Sequence, residues 1–232
     1  MDKTWVIIPV YNEDASITSV VKFVRRQGFK NIIVVDDGSQ NPANVSGAKV
    51  IRHTINRGKG AATKTGIQAA LLLGADYVVT LDGDGQHDPK DLSKMLAPLH
   101  HGVDVVLGYR KFSPRHMPLF KILANHLANV LTGAISGLWV KDCMCGLKAY
   151  TARAARIIIR TCGDHYEYEN EVVIQVSRHK LKFSQVPITT IYTRHSRTKT
   201  TQLNSIFALK TLYFLLVNQS SRVNSNRRRR RN

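Results

Sequence analysis

Two carboxylates separated by a single glycine, Asp82-Gly83-Asp84, directly follow an apolar run that is typical of a buried strand, Tyr77–Leu81. Glycine lets the backbone between them turn tightly, so that both carboxylates can face one ligand. Hard oxygen donors of this kind suit Mg²⁺ or Mn²⁺, which take further ligands from waters and substrate phosphates. Gln86 could add a carbonyl oxygen, directly or through a water. A polar turn before a helix is the alternative, but the position after an apolar strand favours a metal site formed by Asp82, Asp84 and Gln86.

Three further polar clusters follow other apolar runs, each at the point where the run ends. In an open α/β sheet, ligands bind beyond the carboxyl ends of the strands. We therefore expect these clusters to meet the Asp82 turn at one edge of a sheet. The clusters are Tyr11-Asn12-Glu13 after Trp5–Val10, Asp36-Asp37 after Ile32–Val35, and Arg110 after Val103–Leu107.

A glycine-rich segment, Gly58-Lys59-Gly60, precedes a predicted helix over Gly60–Leu73. It has the glycines and the lysine of a phosphate-binding loop but not the G-x-x-x-x-G-K-[ST] spacing of a P-loop. The N-terminus of a helix that carries a lysine still attracts anions, because its backbone N–H groups are unpaired. We therefore expect Lys59 to contact a substrate phosphate.

Short apolar runs alternate with segments of helical periodicity, which is the pattern of a mostly parallel sheet covered by helices on both faces. The predicted fold class is therefore α/β. In the predicted helix Pro118–Ile135, His126 lies on the apolar face, where a histidine packed in the core is the ordinary interpretation. Asp88 before Pro89 predicts another helix start. The remaining predicted elements are the helices Ala15–Arg26, Arg153–Arg160 and Asn170–His179, the strand Lys49–Arg52 and the extended segment Phe183–Tyr192.

The charge of the chain is strongly positive and unevenly placed. The 232 residues include 34 Lys and Arg against 16 Asp and Glu, a formal net charge of +18. Residues 172–232 hold 13 of the basic residues and no acid. Such a segment implies an anionic partner: a membrane, a nucleic acid or a phosphate-bearing substrate. A non-enzymatic nucleic-acid binder is disfavoured, because aspartates clustered at strand ends would repel phosphates.

The cysteines and the hydropathy of the chain bear on its compartment. The chain has an odd number of cysteines, namely Cys143, Cys145 and Cys162. It begins without the charged and apolar regions of a secretory signal. Both observations favour buried thiols in a reducing compartment over a disulfide framework or half of a metal site. The longest apolar stretch, Ile206–Val217, has 12 residues, fewer than the ~18 needed to span a bilayer. We expect a chain that does not cross a membrane.

Four segments, taken together and in this order, resemble glycosyltransferase family 2, and within it the dolichol-phosphate mannose synthases and their bacterial polyprenyl-phosphate relatives. The resemblance covers about residues 4–200. It implies a single GT-A domain over residues 1–200, with a Rossmann-like sheet and a divalent metal. The implied donor is a nucleoside diphosphate sugar of the GDP-mannose or UDP-glucose type. The four segments are Ile8–Glu13, Val34–Ser39, Asn56–Ala62 and Leu81–Pro89.

Matched position by position, the resemblance also implies roles for single residues. Asp84 and Arg110 would be catalytic, together with Arg194 and Lys199 as a basic pair that clamps phosphates. The interval from Arg194 to Lys199 is one residue shorter than in the mannose synthases, so Arg197 could share the role. The nucleotide sugar would be held by Pro9, Tyr11, Glu13, Val35, Asp37, Asp82 and Gly83, with Asp37 facing the base and with Lys59 on a phosphate.

Two departures from the family pattern concern the acceptor side of the site. Lys121 and Ile122 stand where the family often has two arginines. Cys145-Gly146-Leu147 stands where the family has Ser-Gly-Phe. The acceptor-side residues are therefore less well matched than those of the metal site.

The resemblance implies an inverting transfer of a hexose to a polyprenyl (dolichyl-type) phosphate. A lipid phosphate needs no general base, since its second pKa of ~6 leaves an anionic nucleophile at pH 7. The alternative is an alcohol acceptor on a glycan or glycolipid, which would need a base, with Glu169 and Glu171 as candidates. A sugar nucleotidyltransferase is disfavoured, because no G-x-G-x-R loop follows the first strand.

The end of the chain predicts contact with a membrane. Residues 201–218 have the pattern of an amphipathic helix, and residues 219–232 form a basic tail that we expect to be disordered. A helix docked on the domain's own core is the alternative, and Arg222 with Arg227–Arg231 favours the membrane. We therefore expect a cytoplasmic protein that is peripheral on the cytosolic face of an anionic membrane and has no nucleic-acid partner.

Deletion of residues 219–232 is expected to weaken binding to anionic liposomes and to leave donor hydrolysis nearly intact. Each basic residue near an anionic leaflet contributes ~1 kcal/mol, as an upper limit. Liposome sedimentation at ~50 mM salt, where screening is weak, measures the effect. Equal binding with and without the tail would contradict the prediction.

Overall fold

The computed structural model describes residues 3–112, 117, 119–165 and 167–191. In these residues, seven strands form one sheet in the order β3-β2-β1-β4-β6-β5-β7. The strands are β1 (Thr4–Val10), β2 (Ile32–Asp36), β3 (Lys49–Arg52), β4 (Tyr77–Thr80), β5 (Val105–Arg110), β6 (Lys148–Thr151) and β7 (Phe183–Ile188).

The sheet is mostly parallel, as the alternation of elements predicts. β1 pairs in parallel with β2 and β4, β2 with β3, and β5 with β7. β6 is the exception, because it runs antiparallel between β4 and β5. Its amino end therefore lies beside the carboxyl ends of its two neighbours. β6 is not predicted from the sequence, because it is only four residues long and begins with the charged residue Lys148.

Of the six α-helices in the described residues, five cover the two faces of the sheet, and α4 packs against α6. One core layer packs α2, α5 and α6 against the sheet, and the other packs α1 and α3 against its opposite face. Strands covered on both sides are apolar throughout rather than alternating, which is why β1 and β2 read as continuous apolar runs. The helices are α1 (Asp14–Arg26), α2 (Lys59–Leu72), α3 (Leu92–His100), α4 (Leu119–Ser136), α5 (Ala152–Thr161) and α6 (Tyr168–Arg178).

The other predicted elements are confirmed with shifts of a few residues at their ends. The strand expected from Val103 begins at Val105 and continues to Arg110, so Arg110 is its last residue. The helix start expected at Pro89 is a 3₁₀ turn, Pro89–Asp91, that leads into α3. Asp88 accepts a hydrogen bond from the Lys90 backbone N–H there, as an N-cap should.

The orientation of α4 differs from the expectation. Its apolar positions Leu119 and Leu123 are 71% and 72% exposed, and His126 is exposed as well. The prediction of a histidine packed in the core is therefore wrong. The buried side of α4 is polar: Asn129 accepts from the Cys143 N–H and donates to the Lys141 carbonyl. Helical periodicity identifies the apolar face but not the direction in which that face points.

The three cysteines are buried and unpaired with one another. Burial raises the pKa of the Cys143 and Cys145 thiols to about 12, so they are neutral at pH 7. The expectation of buried thiols is confirmed. No helix among the described residues is both long enough and apolar enough to cross a membrane.

The contact between α2 and β1 allows no side chain at Gly66. A Cβ built at Gly66 would lie 2.3 Å from Cγ2 of Ile7. Gly66→Ala is therefore expected to lower the free energy of unfolding by about 1–3 kcal/mol through overpacking. Urea denaturation measures the loss. Gln68→Ala, on the exposed side of the same helix, is the matched control and should change stability by less than about 0.5 kcal/mol. Equal stabilities of the two variants would contradict the packing argument.

Candidate active site

The loops that follow β1, β2 and β4 meet at one edge of the sheet, as predicted. The backbone N–H of Asn12 donates to Oγ of Ser39 at 2.9 Å and joins the first two loops. Oγ of Ser16, in the first turn of α1, donates to the Gly83 carbonyl at 2.7 Å. The predicted nucleotide-sugar residues of β1 thus lie beside the Asp82–Asp84 turn.

Gly83 occupies the point of closest approach between the β1 and β4 loops. A Cβ there would lie 2.4 Å from Cγ1 of Val10, 2.8 Å from Oε2 of Glu13 and 3.2 Å from the Pro9 carbonyl oxygen. The glycine between the two aspartates is therefore required by packing. Because Gly83 is held in this contact, the carboxylates on either side of it project from a fixed backbone.

The Asp82 carboxylate accepts from two basic side chains. Nζ of Lys59 lies 2.8 Å from Oδ1, and Nε2 of His87 lies 3.3 Å from Oδ2. Burial opposes ionisation of Asp82, but the Lys59 charge and the His87 hydrogen bond hold the pKa of this carboxyl far below its ordinary value. Asp82 is therefore an anion throughout the physiological pH range.

The Asp84 carboxylate is half-buried and accepts a hydrogen bond of 2.9 Å from the Gln86 backbone N–H. Burial and the nearby Asp82 charge raise its pKa above the ordinary value. Two carboxylates that repel each other in a partly buried site are stabilised by a shared cation.

The donor set fits a hard divalent cation. Asp82, Asp84 and the Gln86 amide supply oxygen ligands only, which suits Mg²⁺ or Mn²⁺. Among the described residues, no group of three or more histidine, cysteine or acidic side chains is placed to hold a metal alone. Mg²⁺ usually keeps several waters and binds substrate phosphates beside one or two protein carboxylates.

The backbone before β6 closes the site against Asp82. A Cβ at Gly146 would lie 2.4 Å from both carboxylate oxygens of Asp82. Thr80 supports this approach from β4, because its Oγ1 donates to the Gly146 carbonyl at 2.8 Å. Only glycine allows the main chain to come this close to the carboxylate.

A buried network of charges continues from Asp82 into the domain. Nζ of Lys59 also contacts Oε1 of Glu169 at 2.9 Å, and Oε2 of Glu169 pairs with Lys148. Lys148 and Glu169 are only 1% and 3% exposed. Although burial alone would lower it, the pKa of Lys59 is held well above its ordinary value by Asp82 and Glu169. Lys59 therefore stays charged beside the metal site.

The N-terminus of α2 is less open to a phosphate than the sequence suggests. The Ala61 N–H donates to the Asp164 carbonyl at 2.7 Å. A Cβ at Gly60 would lie 2.7 Å from the Gly163 carbonyl oxygen. The side chain of Lys59 therefore faces the site, whereas the Ala61 backbone N–H is already bonded within the domain.

Asp37 is 2% exposed and organises the loop before α2. Its Oδ1 accepts from the Arg57 N–H at 2.9 Å and from Nδ1 of His53 at 2.6 Å, and its Oδ2 accepts from the Gly58 N–H at 2.8 Å. The role of Asp37 toward a base stays a prediction. These contacts fix the backbone directly before α2 and hence the position of Lys59.

Arg110 is held rigidly at the end of β5. Its Nε and Nη2 donate to Asp142 at 2.6 and 3.0 Å, and Asp142 is itself buried. Burial alone would lower the pKa of Arg110, but Asp142 raises it above the ordinary value. The guanidinium therefore carries a permanent charge, and its planar fork is oriented by a fixed carboxylate.

The remaining predicted residues have varied positions. Tyr11 is exposed at the mouth of the site, whereas Pro9 and Val35 are buried and face one another in the β1–β2 register. Arg194, Arg197 and Lys199 lie outside the described residues, as do the predicted helix over 201–218 and the tail over 219–232.

Several residues of the site were given no role by the sequence analysis. No local pattern marks Asp142 or Lys148, because each acts through a partner that is distant along the chain. His87 lies within the matched segment Leu81–Pro89, and Gly146 is the one residue that Cys145-Gly146-Leu147 shares with the Ser-Gly-Phe of the family, so both carried a signal in the sequence. His53 has no comparable signal, since its contact with Asp37 depends on how β3 ends.

A sheet of this topology with a carboxylate pair at the carboxyl end of its fourth strand defines a GT-A-like nucleotide-sugar transferase fold. The family model described as "Glycosyl transferase family 2" matches residues 5–156, well over half of the chain. The chain belongs to glycosyltransferase family 2.

Two relatives illustrate the family relationship, and one solved structure shares the fold. The chain is 34% identical to UDP-N-acetylglucosamine--dolichyl-phosphate N-acetylglucosaminyltransferase of Methanococcus voltae, over 94% of this chain and 97% of that protein. It is 28% identical to polyprenol monophosphomannose synthase of Mycolicibacterium smegmatis, over 81% of this chain and 77% of that protein. The fold is similar to that of glucosyl-3-phosphoglycerate synthase from Mycobacterium tuberculosis in complex with Mn²⁺, UDP and glucosyl-3-phosphoglycerate, with a TM-score of 0.69 and 19% identity, over 92% of this chain and 80% of that one.

Gly146→Ala is expected to reduce the rate of sugar transfer by about 10²-fold, because the added methyl group would displace the Asp82 carboxylate. The fold should stay intact, since the displaced atoms are the end of a side chain rather than backbone. Initial rates and a thermal melt of the same preparation measure the two effects. Gly133→Ala is the matched control, since a Cβ at Gly133 meets its nearest atom at 3.4 Å, an ordinary contact. A variant at Gly146 with unchanged activity would contradict the role of this close approach.

Proposed function

We propose that this protein transfers a hexose from a nucleoside diphosphate sugar to a polyprenyl phosphate, with inversion at the anomeric carbon. The observation that carries the proposal is the assembly of Asp82, Asp84 and Lys59 at the carboxyl edge of the sheet. The names of the two relatives support the acceptor class, since both include a polyprenyl-type lipid. A single displacement by the acceptor phosphate accounts for inversion.

The environment of Glu169 and Glu171 supports a phosphate acceptor over an alcohol. An alcohol needs a general base with an accessible carboxylate. Glu169 is buried between two lysines, and Oε2 of Glu171 accepts from the Gly163 backbone N–H. Both candidate bases are thus engaged within the fold. A phosphate acceptor needs neither of them, because it is already anionic at pH 7.

The donor diphosphate would be bound by a metal and by basic side chains. Asp82, Asp84 and Gln86 would hold Mg²⁺ or Mn²⁺. When bound, the metal would act as a Lewis acid that stabilises charge on the leaving nucleoside diphosphate. The Mn²⁺ and UDP in the similarly folded synthase are in line with this assignment. Lys59 adds positive charge beside Asp82, so it would contact the diphosphate from the side of α2.

Arg110 would align the acceptor phosphate with the anomeric carbon. Its orientation by Asp142 limits the positions of its remaining N–H groups. Holding two anions close without losing alignment requires fixed cations. Arg194 and Lys199 would complete this clamp, with Arg197 able to share their role.

The exposed face of α4 supports a peripheral position on the membrane. Leu119, Leu123 and Leu127 lie one turn apart and are all exposed. The same helix is bonded through Asn129 to residues 141 and 143, which flank the Asp142 that holds Arg110. A lipid-facing helix in this place would bring the headgroup of the acceptor to the catalytic arginine. We propose the cytosolic face of an anionic membrane as the location.

The direct test is to incubate the purified protein with Mn²⁺, a polyprenyl phosphate and a panel of UDP- and GDP-sugars. The proposal expects release of nucleoside diphosphate that depends on the lipid, together with a lipid-linked sugar that is labile to mild acid. Release of pyrophosphate would indicate a nucleotidyltransferase. Transfer to glycolipid alcohols, but not to the lipid phosphate, would replace the acceptor with the alternative.

Asp84→Ala is expected to abolish transfer with little change in stability. The substitution removes a metal ligand and the stabilisation of the leaving group, worth roughly 10³-fold in rate. It removes no core volume, so the unfolding midpoint should stay close to that of the wild type. Asp76→Ala, which removes an exposed carboxylate near the opposite end of β4, is the matched control with normal activity. Metal-dependent transfer at the wild-type rate by the Asp84 variant would remove Asp84 from the site.

A further inference from the structure

The carboxylate expected to bind the metal is already in contact with an ammonium group. Nζ of Lys59 lies between Oδ1 of Asp82, at 2.8 Å, and Oε1 of Glu169, at 2.9 Å. A dication on Asp82 would meet this ammonium at a few ångströms, where like charges repel strongly in a partly buried site. Lys59 and a metal therefore compete for the same carboxylate.

The two partners of Lys59 differ in how far a ligand can reach them. Glu169 is 3% exposed, lies in the first turn of α6 and pairs with Lys148, whose Nζ also donates to the Cys145 carbonyl at 2.5 Å. The Asp82 side chain is 24% exposed, so a ligand that enters the site can contact it. A bound cation therefore displaces Lys59 from Asp82 and leaves its contact with Glu169.

We propose that Lys59 holds the Asp82 carboxylate in the absence of donor and releases it when a metal arrives with the nucleoside diphosphate. Lys59 then stays on Glu169 and directs its ammonium at the diphosphate. Glu169 and Lys148 are positioning residues for Lys59. The inference rests on the proposed function for its donor class. It adds that the metal binds weakly alone and tightly together with the nucleotide.

A purely structural lysine would behave differently. Loss of a purely structural contact would weaken the binding of every ligand of the site. Competition instead predicts that the two affinities change in opposite directions. Removal of the ammonium frees Asp82 for the metal, but it also removes a cation from the diphosphate. In Lys59→Met, Glu169 stays paired with Lys148, and Asp82 keeps its contact with His87 and its 24% exposure to solvent, so neither carboxylate is buried without a partner.

The test measures two dissociation constants for Lys59→Met by isothermal titration calorimetry, one for Mn²⁺ alone and one for UDP or GDP at saturating Mn²⁺. The expected result is Mn²⁺ binding that is about tenfold tighter and nucleoside diphosphate binding that is about tenfold weaker. Lys64→Met is the matched control in the same helix, where Lys64 pairs with Asp164 at 2.6 Å away from Asp82. Both constants should be unchanged in the control. Shifts of both constants in the same direction, or no shift in Lys59→Met, overturn the proposal.

The positioning role of the buried pair has its own variant. In the double variant Lys148→Met with Glu169→Gln, neither buried charge is left without its partner, so the fold is retained. Lys59 then has Asp82 as its remaining carboxylate partner among these residues. Mn²⁺ alone is therefore expected to bind several-fold more weakly, the opposite of Lys59→Met, and the nucleoside diphosphate also binds more weakly. Unchanged or tighter Mn²⁺ binding overturns the role of the pair.

These binding measurements separate the inference from the proposed function. Crossed shifts in Lys59→Met without any transfer to polyprenyl phosphate would retain the inference and reject the proposed acceptor. Normal transfer by the wild type with no crossed shift would retain the proposed function and reject the inference.

Discussion

The position of the Asp82 carboxylate depends on a balance of charge inside the domain. Two lysines, Lys59 and Lys148, alternate with two carboxylates, Asp82 and Glu169, along one chain of contacts. An unpaired charge in such surroundings is very costly, so each member requires its neighbours. These contacts connect four parts of the domain: the loop after β4, the start of α2, the start of α6 and the start of β6. The geometry of the proposed metal site is therefore a property of the packed domain rather than of the Asp82–Asp84 turn alone.

The antiparallel strand β6 is what makes this arrangement possible. A parallel strand in its place would direct its first residues away from the carboxyl ends of β4 and β5. Because β6 is reversed, its amino end delivers Lys148 to Glu169 and Gly146 to the Asp82 carboxylate. The segment before it supplies Asp142, which orients Arg110. Residues 142–148 thus contact both Arg110 and Asp82, the residues that we propose for the acceptor and donor sides of the site.

The buried contacts of Glu169 bear on the acceptor that we propose. Glu169 is committed to the lysines, so the chemistry favours a nucleophile that is already charged. α4 presents an apolar face outward and is bonded to the segment that holds Arg110. The proposed acceptor, an anionic headgroup on an apolar chain, matches these two features. Membership of glycosyltransferase family 2 places this chemistry on a fold that is used for nucleotide-sugar donors.

The sequence by itself determined the α/β class, the order of nearly all elements, the meeting of the strand-end clusters and the family, because apolar runs and turn residues are local signals. Three features were decided only by tertiary structure. The apolar face of α4 points outward because the polar residues on the opposite side of the helix are buried with hydrogen-bond partners. Asn129, for example, bonds to the backbone of residues 141 and 143. The roles of Lys148 and Asp142 arise from partners 21 and 32 residues away. Gly146 needs to be glycine only because Asp82 lies opposite it, and no periodicity along the chain records such a contact.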